Sequence, residues 1–162
     1  MTKLGDRFPD EQRAAYARKA LTPGRILYLW CDFTVPPKFK YVVLVGIEPD
    51  PIGFVINSRI SAFISKRPAL CACQVMLRRT DYSFLRHDSY LDCSAVIDAL
   101  DREEILRQLT AAPSNIVGEL TEATKAEILR VISTAPTISE AHRAVIRQAL
   151  APVGPRHEPP MH

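Results

Sequence analysis

The chain has 162 residues and a mass of 18.1 kDa, which suffices for one domain with a sizeable core and excludes two full-sized domains. Hydrophobic residues make up 47% of the sequence and charged residues 24%, which excludes wholesale disorder, a fibrous repeat and a membrane-embedded protein. The longest apolar run, from Val42 to Ile47, is too short to cross a bilayer. The N-terminus is polar and shows no secretory signal, so we expect a cytoplasmic protein with reduced cysteines and no membrane contact.

The net charge of +3 is unevenly distributed along the chain. Residues 1–90 carry 14 Lys or Arg and 8 Asp or Glu, a balance of +6, whereas residues 91–162 carry 7 and 10, a balance of −3. A basic first part suits a polyanion such as a nucleic acid, because phosphate contacts supply most of the affinity that does not depend on base sequence. An ordinary solvated surface gives the same pattern, so both interpretations stay open.

The first part of the chain predicts a short helix followed by strands. Good helix formers occupy the segment from Asp10 to Leu21, and Pro23 with Gly24 ends it. Segments rich in β-branched or aromatic residues predict strands over Arg25 to Phe33, Tyr41 to Glu48 and Ile52 to Ser58. A further strand is expected over Leu70 to Arg78, followed by a loop at Arg79 to His87 and a short extended piece at Ser89 to Val96. The short connections between the first three strands favour an antiparallel meander.

The chain beyond Leu100 predicts helices instead. Asp101 and Glu104 resemble an N-capping arrangement for a helix from Arg102 to Thr110. The other two helices are predicted over Glu122 to Ser133, capped by Thr121, and from Thr137 to Leu150, where Thr137 and Glu140 match a capping box. The last segment, 151–162, contains four prolines and predicts a flexible tail.

Strands followed by helices predict an α+β fold. Five or six short strands remove their edges most economically by curling, so we expect a small antiparallel β-barrel followed by C-terminal helices, with a short N-terminal helix. The predicted organisation is an N-terminal helical segment at 1–23, the barrel at 24–100, helices packed on the barrel at 101–150 and the tail at 151–162. A Gly-rich phosphate loop and a dinucleotide fingerprint are missing from the sequence, and we expect no cofactor.

The cysteines allow two interpretations. Cys71 and Cys73 are two residues apart on a predicted strand, so their sulfurs point to the same face. His87 and Cys93 follow, so three thiolates and one imidazole are available for tetrahedral zinc. The sequence lacks the Cys-x-x-Cys spacing usual in structural zinc sites, and cysteine is often buried as a small apolar residue. Core cysteines without a metal are therefore the expectation, and a zinc-stabilised structural domain is the alternative.

The segment from Asp81 to Ser94 contains the densest mixture of polar and aromatic residues. His87 lies within it, flanked by Arg86 and Asp88. An imidazole with a pKa near the unperturbed value of about 6.5 can give or take a proton at neutral pH. The alternative is a surface loop whose Asp and Ser side chains make local hydrogen bonds to the backbone.

A second group of polar residues lies at the ends of the predicted strands. Lys38 and Lys40 follow the turn after the first strand, and Asn57, Ser58 and Arg59 end the third. In a meander the start of the second strand approaches the end of the third, so these residues are predicted to face one another and to hold a phosphodiester. The alternative is that the lysines protect an exposed strand and Asn57 forms a turn.

Four segments of the chain resemble the MazF/PemK-like superfamily of toxins. Residues 24–30 resemble the family's opening glycine and strand, and residues 40–45 resemble its Arg-Pro pair followed by an aliphatic strand. Residues 56–58 stand where the family has a strand ending in Thr or Ser, and residues 118–124 are similar to its Gly-x-Leu-Ser helix entry. The resemblance spans about residues 24–132, and the predicted helix ending at Leu150 extends past it.

The resemblance implies an SH3-like barrel that forms a homodimer, cleaves single-stranded RNA without a metal and binds an antitoxin-like protein. The family's catalytic Arg falls on Lys40, with Tyr41 in place of Pro, and its Thr or Ser falls on Ser58. We therefore expect the catalytic residues to be Lys40, Ser58 and His87, with proton transfer assigned to His87. The expected nucleic-acid-binding residues are Lys38, Tyr41, Asn57, Arg59, Tyr82 and Arg86, and the two tyrosines are expected to stack on bases. Because Lys lacks the planar fork of Arg, the alternative is a non-catalytic module of this fold that binds nucleic acid or protein.

Overall fold

The structure, a computed structural model, describes residues 10–152. Most of the predicted tail at 151–162 and the start of the segment 1–23 lie outside these residues. The elements are α1 (Asp10–Ala20), β1 (Arg25–Cys31), β2 (Lys38–Gly46), β3 (Ile52–Asn57), α2 (Ala62–Ser65), α3 (Pro68–Cys71), β4 (Gln74–Leu77), β5 (Ser89–Asp92), α4 (Arg102–Ala111), β6 (Ile116–Glu119), α5 (Glu122–Ile132) and α6 (Glu140–Leu150). None of the helices within this range has the length and apolar character needed to cross a membrane.

A six-stranded antiparallel sheet organises the molecule. Its strand order is β4-β5-β3-β2-β1-β6, and it curls into a half-barrel whose edge strands β4 and β6 are not hydrogen-bonded to each other. The predicted α+β class and the antiparallel meander of the first three strands are confirmed. The short turns between these strands explain this topology, because a parallel pair requires a long crossover.

Helices cover both faces of the sheet, which therefore has a core on each side. In β2, Val42 and Leu44 pack with the core residues of α1 and α4, whereas Val43 and Val45 pack with those of α5 and α6. We call the two sides the α1–α4 face and the α5–α6 face. Alternation along an extended strand sends neighbouring side chains to opposite faces, and a strand buried on both sides is apolar without interruption.

Three helix starts test the predicted caps. Asp101 is the N-cap residue of α4 as predicted, but its side chain makes no capping hydrogen bond. Thr121 caps α5 as expected, since its hydroxyl accepts from the Thr124 N–H at 3.1 Å. The cap of α6 is Ser139, which accepts from the His142 N–H at 3.1 Å, so the predicted capping box at Thr137 is wrong. The Thr137 hydroxyl instead donates to the carbonyl oxygen of Ser94 and ties the α5–α6 connection to the segment after β5.

The predicted strand bounds shift by a few residues, as at the start of β2, which is Lys38 rather than Tyr41, and at the end of β5, which is Asp92 rather than Val96. Two differences are larger. Leu70 and Cys71 belong to the short helix α3, which starts at Pro68, and the strand there contains only Gln74–Leu77. Proline at the first position of a helix costs no hydrogen bond, and Ala69 and Leu70 after it are good helix formers, so this segment is helical. The strand Ile116–Glu119 was not predicted, and by pairing with β1 it extends the sheet past residue 100 and interrupts the expected order of strands followed by helices.

Arg143 of α6 is a buried cation at the C-terminal end of α5. Its guanidinium group donates to three carbonyl oxygens, those of Ile132 at 2.8 Å, Ala135 at 3.0 Å and Ile138 at 3.2 Å. Ile132 ends α5, and Ala135 and Ile138 lie in the α5–α6 connection, so Arg143 holds this connection to α6 and gives its buried carbonyls a close donor.

We predict that Arg143→Ala lowers the free energy of unfolding by about 2 to 4 kcal/mol, because buried carbonyl groups lose their donors. Urea unfolding followed by circular dichroism measures this change. The control is Arg147→Ala on the same helix, where the side chain is exposed and the effect should stay within about 0.5 kcal/mol. Equal losses in the two variants would contradict the role given to Arg143.

Candidate nucleic-acid interface

One end of the sheet gathers the ends of five strands. β1 stops there at Cys31, opposite Lys38 at the start of β2. β3 stops at Asn57, opposite Tyr90 near the start of β5, and β4 ends beside them. The cations at or near these strand ends are Lys38, Lys40, Arg59, Arg78, Arg79 and Arg86, and the carboxylates are Asp32, Asp81 and Asp88. We call this region the basic end of the sheet.

The opposite end of the sheet carries mainly carboxylates. They are Glu48 and Asp50 in the β2–β3 turn, Asp92 at the end of β5 and Glu119 at the end of β6. Cations are fewer here and are engaged in ion pairs, such as that between Arg102 and Glu48 at 3.1 Å. The sheet therefore has an electrostatic polarity, with a basic end that attracts an anion and an opposite end that carries mainly carboxylates.

Lys40 and Asn57 form the central contact of the basic end. The Lys40 Nζ donates to the Asn57 Oδ1 at 2.8 Å, across neighbouring strands on the α1–α4 face. Partial burial, followed by repulsion from Lys38, lowers the pKa of Lys40 from its ordinary value of 10.5. An oxygen of an anion placed beside Nζ would favour the charged ammonium and raise this pKa. Lys40 is therefore a partly desolvated cation held in a fixed position.

Ser58 and Arg59 are exposed and follow the last residue of β3. The antiparallel register of β3 with β2 and β5 places them at the basic end, on the same side of the molecule as Lys38. Within residues 10–152, however, neither Ser58 nor His87 shares a hydrogen bond with Lys40. The expected catalytic set thus lies at one end of the sheet without forming a connected constellation.

His87 and Arg86 are exposed on the segment that joins β4 to β5. The Asp88 carboxylate accepts from the Arg79 N–H at 2.8 Å and closes this segment into a loop. The His87 Nδ1 lies 3.0 Å from the carbonyl oxygen of Asp88, so a proton on Nδ1 is donated to the backbone and Nε2 is the nitrogen left to accept one. The imidazole is oriented locally and faces solvent.

Tyr82 does not reach the surface, contrary to its expected role in stacking on a base. Its side chain is 4% exposed, its hydroxyl lies 2.6 Å from the Thr124 hydroxyl, and it accepts from the Thr121 N–H at 3.3 Å. The residue anchors the β4–β5 loop to the start of α5. A polar loop sequence suggested exposure, but the hydroxyls at the cap of α5 supply the partners that allow this tyrosine to be buried.

The four residues of the zinc alternative are not brought together. Cys73 and Cys93 are buried neighbours, since the Cys93 N–H donates to the Cys73 carbonyl at 3.1 Å, and burial raises the pKa of both thiols. His87 precedes β5 and Cys93 follows it, which separates them by about 20 Å of extended chain. In the part of the chain that the structure describes, no group of three potential ligands is arranged to hold a metal. Cys31, Cys73 and Cys93 are buried core residues, whereas Cys71 in α3 is half-buried.

A row of aromatic rings on the α5–α6 face reaches the basic end. Ring centroids are 4.9 Å apart for Tyr28 and Phe39, 4.7 Å for Tyr28 and Tyr41, 5.3 Å for Trp30 and Phe39, and 4.9 Å for Tyr41 and Phe84. We call these five residues the aromatic strip. Trp30 is 46% exposed and Phe39 45%, whereas the other three rings are half-buried.

Sequence reasoning found only Tyr41 of the aromatic strip. The spacing of the aromatic residues could have predicted the strip. Tyr28 and Trp30 are two residues apart on β1, and Phe39 and Tyr41 are two residues apart on β2. Aromatic residues at a spacing of two on neighbouring antiparallel strands meet on one face. Lys40 points to the other face, so Lys40 and Tyr41 are adjacent in sequence but lie on opposite sides of the sheet.

A pocket between β1 and α4 does not fit a polyanion. Asp101 and Glu104 line it, and hydrogen bonds from Arg107 and Gln108 lower the pKa of Glu104 to about 2, so that this carboxylate stays ionised. The Gln108 carboxamide bonds both the N–H and the carbonyl of Trp30, at 2.8 and 3.1 Å, and replaces a strand partner at the edge of β1. Trp30 and Asp32 also line the pocket, which supports the edge of β1.

We predict that Lys40 titrates below the ordinary lysine value of 10.5, because burial and Lys38 disfavour its charged form. Side-chain carbon chemical shifts, followed by NMR as the pH is raised, measure the midpoint. Lys38→Met removes the neighbouring positive charge and should move the Lys40 midpoint upward. A midpoint at or above 10.5 in the unmodified protein would contradict the environment described for Lys40.

Comparison of the chain with protein-family profiles, curated proteins and solved structures finds no match.

Proposed function

We propose that this protein binds single-stranded RNA at the basic end of the sheet and is a MazF/PemK-like toxin with an SH3-like barrel. The contact between Lys40 and Asn57, surrounded by further cations, carries the proposal. A partly desolvated ammonium group gains more from an approaching phosphate than a fully hydrated one does.

Three further observations support the proposal. The basic end contrasts with a carboxylate-rich opposite end, so electrostatic attraction orients a polyanion before contact. The sequence segments at residues 24–30, 40–45, 56–58 and 118–124 resemble those of the toxin family, which supports RNA over other polyanions. The curled six-stranded sheet is compatible with a small barrel. On this proposal the protein acts in the cytoplasm, forms a homodimer and is neutralised by an antitoxin-like partner whose acidic residues cover the same cations.

Metal-independent cleavage of the bound RNA is the second candidate function. The reaction transfers the RNA 2′-oxygen to the adjacent phosphorus, releases the 5′-oxygen of the next nucleotide and leaves a 2′,3′-cyclic phosphate. It needs a base for the 2′-hydroxyl, a cation for the phosphorane and an acid for the leaving oxygen. Lys40 and Arg59 would stabilise the phosphorane, Ser58 would donate a hydrogen bond and His87 would transfer protons. The fixed position of Lys40 beside Asn57 and the exposed imidazole of His87 at the same end of the sheet favour this candidate.

The binding proposal predicts that Lys40→Ala weakens the affinity for a labelled single-stranded RNA of about 12 nucleotides by about tenfold at low salt. Each lost phosphate contact should also reduce the slope of log affinity against log salt concentration by about 0.7. Fluorescence anisotropy across a salt series measures both quantities.

Arg147→Ala is the matched control, because it removes an exposed cation from α6, which does not contribute to the basic end. Its affinity should equal that of the unmodified protein. Lack of RNA binding at low salt, or the same loss in Lys40→Ala and Arg147→Ala, would overturn the proposal.

The cleavage candidate predicts strand scission in EDTA with a 2′,3′-cyclic phosphate product, and a loss of about a hundredfold in rate for Lys40→Ala or His87→Ala. Gel analysis of end-labelled RNA measures the rate, and a substrate with 2′-deoxyribose at the cleaved position should stay intact. His142→Ala on α6 is the matched histidine control and should retain full activity. RNA binding without cleavage would identify the non-catalytic module instead.

A further inference from the structure

Two exposed aromatic rings of the aromatic strip lack a covering element in the described structure. Trp30 is 46% exposed and Phe39 45%, and their centroids lie 5.3 Å apart in an edge-on arrangement. Tyr28 stacks behind Phe39 at 4.9 Å with an interplanar angle of 21°. Exposed neighbouring aromatics on a rigid sheet mark a surface that binds a ligand.

The position of the strip relative to the cations identifies the ligand. Phe39 lies between Lys38 and Lys40 in the sequence, and Trp30 precedes Cys31, the last residue of β1, so both rings are at the basic end. Lys38 is the first residue of β2 and is exposed, so its flexible side chain is free to extend around the end of the sheet. An apolar partner would leave these cations without a counter-charge, whereas an unpaired nucleic-acid strand supplies flat bases and phosphates together.

We infer that Trp30 and Phe39 form a stacking platform for two unpaired bases of the RNA strand, while the cations of the basic end bind its phosphates. This inference rests on the proposed RNA-binding function and adds the surface that recognises bases. Tyr28, Tyr41 and Phe84 hold the two exposed rings in place from behind. The platform is tolerant of base identity, because every base has a flat aromatic face.

Trp30 is the single tryptophan of the chain and reports directly on the platform. Its fluorescence should be quenched in proportion to bound RNA, since a stacked base contacts the indole. Inorganic polyphosphate, which has phosphates and no bases, should compete with RNA for the cations without quenching Trp30. Phe39→Leu keeps an apolar side chain but removes the ring, and should weaken RNA binding by about tenfold. Phe39→Tyr keeps the ring and should restore the affinity.

Phe63 provides the control outside the strip, because it is a phenylalanine with 59% exposure in α2. Phe63→Leu should leave RNA affinity unchanged. RNA that binds by anisotropy but neither quenches Trp30 nor responds to Phe39→Leu would overturn the platform and leave the proposed function standing. An absence of RNA binding would overturn the proposed function itself. Trp30 emission that changes with protein concentration alone would assign the strip to self-association and overturn the inference.

Discussion

The alternation of side chains along β2 is the constraint on which the other features depend. Residues Val42 to Val45 of this strand are apolar on both faces of the sheet, because the sheet has a helical core on each face. Val42 to Val45 are all aliphatic, so a shift of β2 by one residue would exchange one aliphatic side chain for another. Hydrophobicity alone therefore specifies the register of this part of β2 only weakly. The part of β2 near the basic end is different, because Lys40 donates a hydrogen bond to Asn57 on one face and Tyr41 contacts Tyr28 on the other. These contacts fix the register of β2 with both neighbours.

The same alternation separates two kinds of surface at the basic end. Lys40 and Asn57 lie on the α1–α4 face, and the aromatic strip lies on the α5–α6 face. A ligand that needs contacts with both phosphates and bases is best accommodated where the two faces meet, at the strand ends. The closed loop between β4 and β5 adds Arg86 and His87 at this place. On the proposed function, the electrostatic polarity of the sheet would direct an RNA strand to this end.

The elements predicted most accurately are those with long, periodic signals. The strands from Arg25 and Ile52 and the helices from Arg102 and Glu122 begin where the sequence indicates. The strand Ile116–Glu119 was not predicted, because a four-residue segment is too short to show a periodic pattern. It forms a strand by pairing with the edge of β1. Leu70 illustrates the opposite case, in which a strand was predicted where Pro68 starts a short helix that Ala69 and Leu70 continue as good helix formers. The approach of Lys38, Lys40 and Asn57 was predictable, because a meander brings these strand ends together.

The sequence by itself determined the α+β class, the antiparallel meander and the collection of cations at one end of the sheet, since these follow from local periodicity and short turns. Only the tertiary structure decided which side chains share a face and which aromatic residues are exposed. Tyr82 became a buried anchor because the cap of α5 offers hydroxyl partners, whereas Trp30 and Phe39 stayed exposed because no described element covers that part of the sheet. Burial depends on neighbours that are distant in the chain, and their positions are set by packing rather than by local sequence.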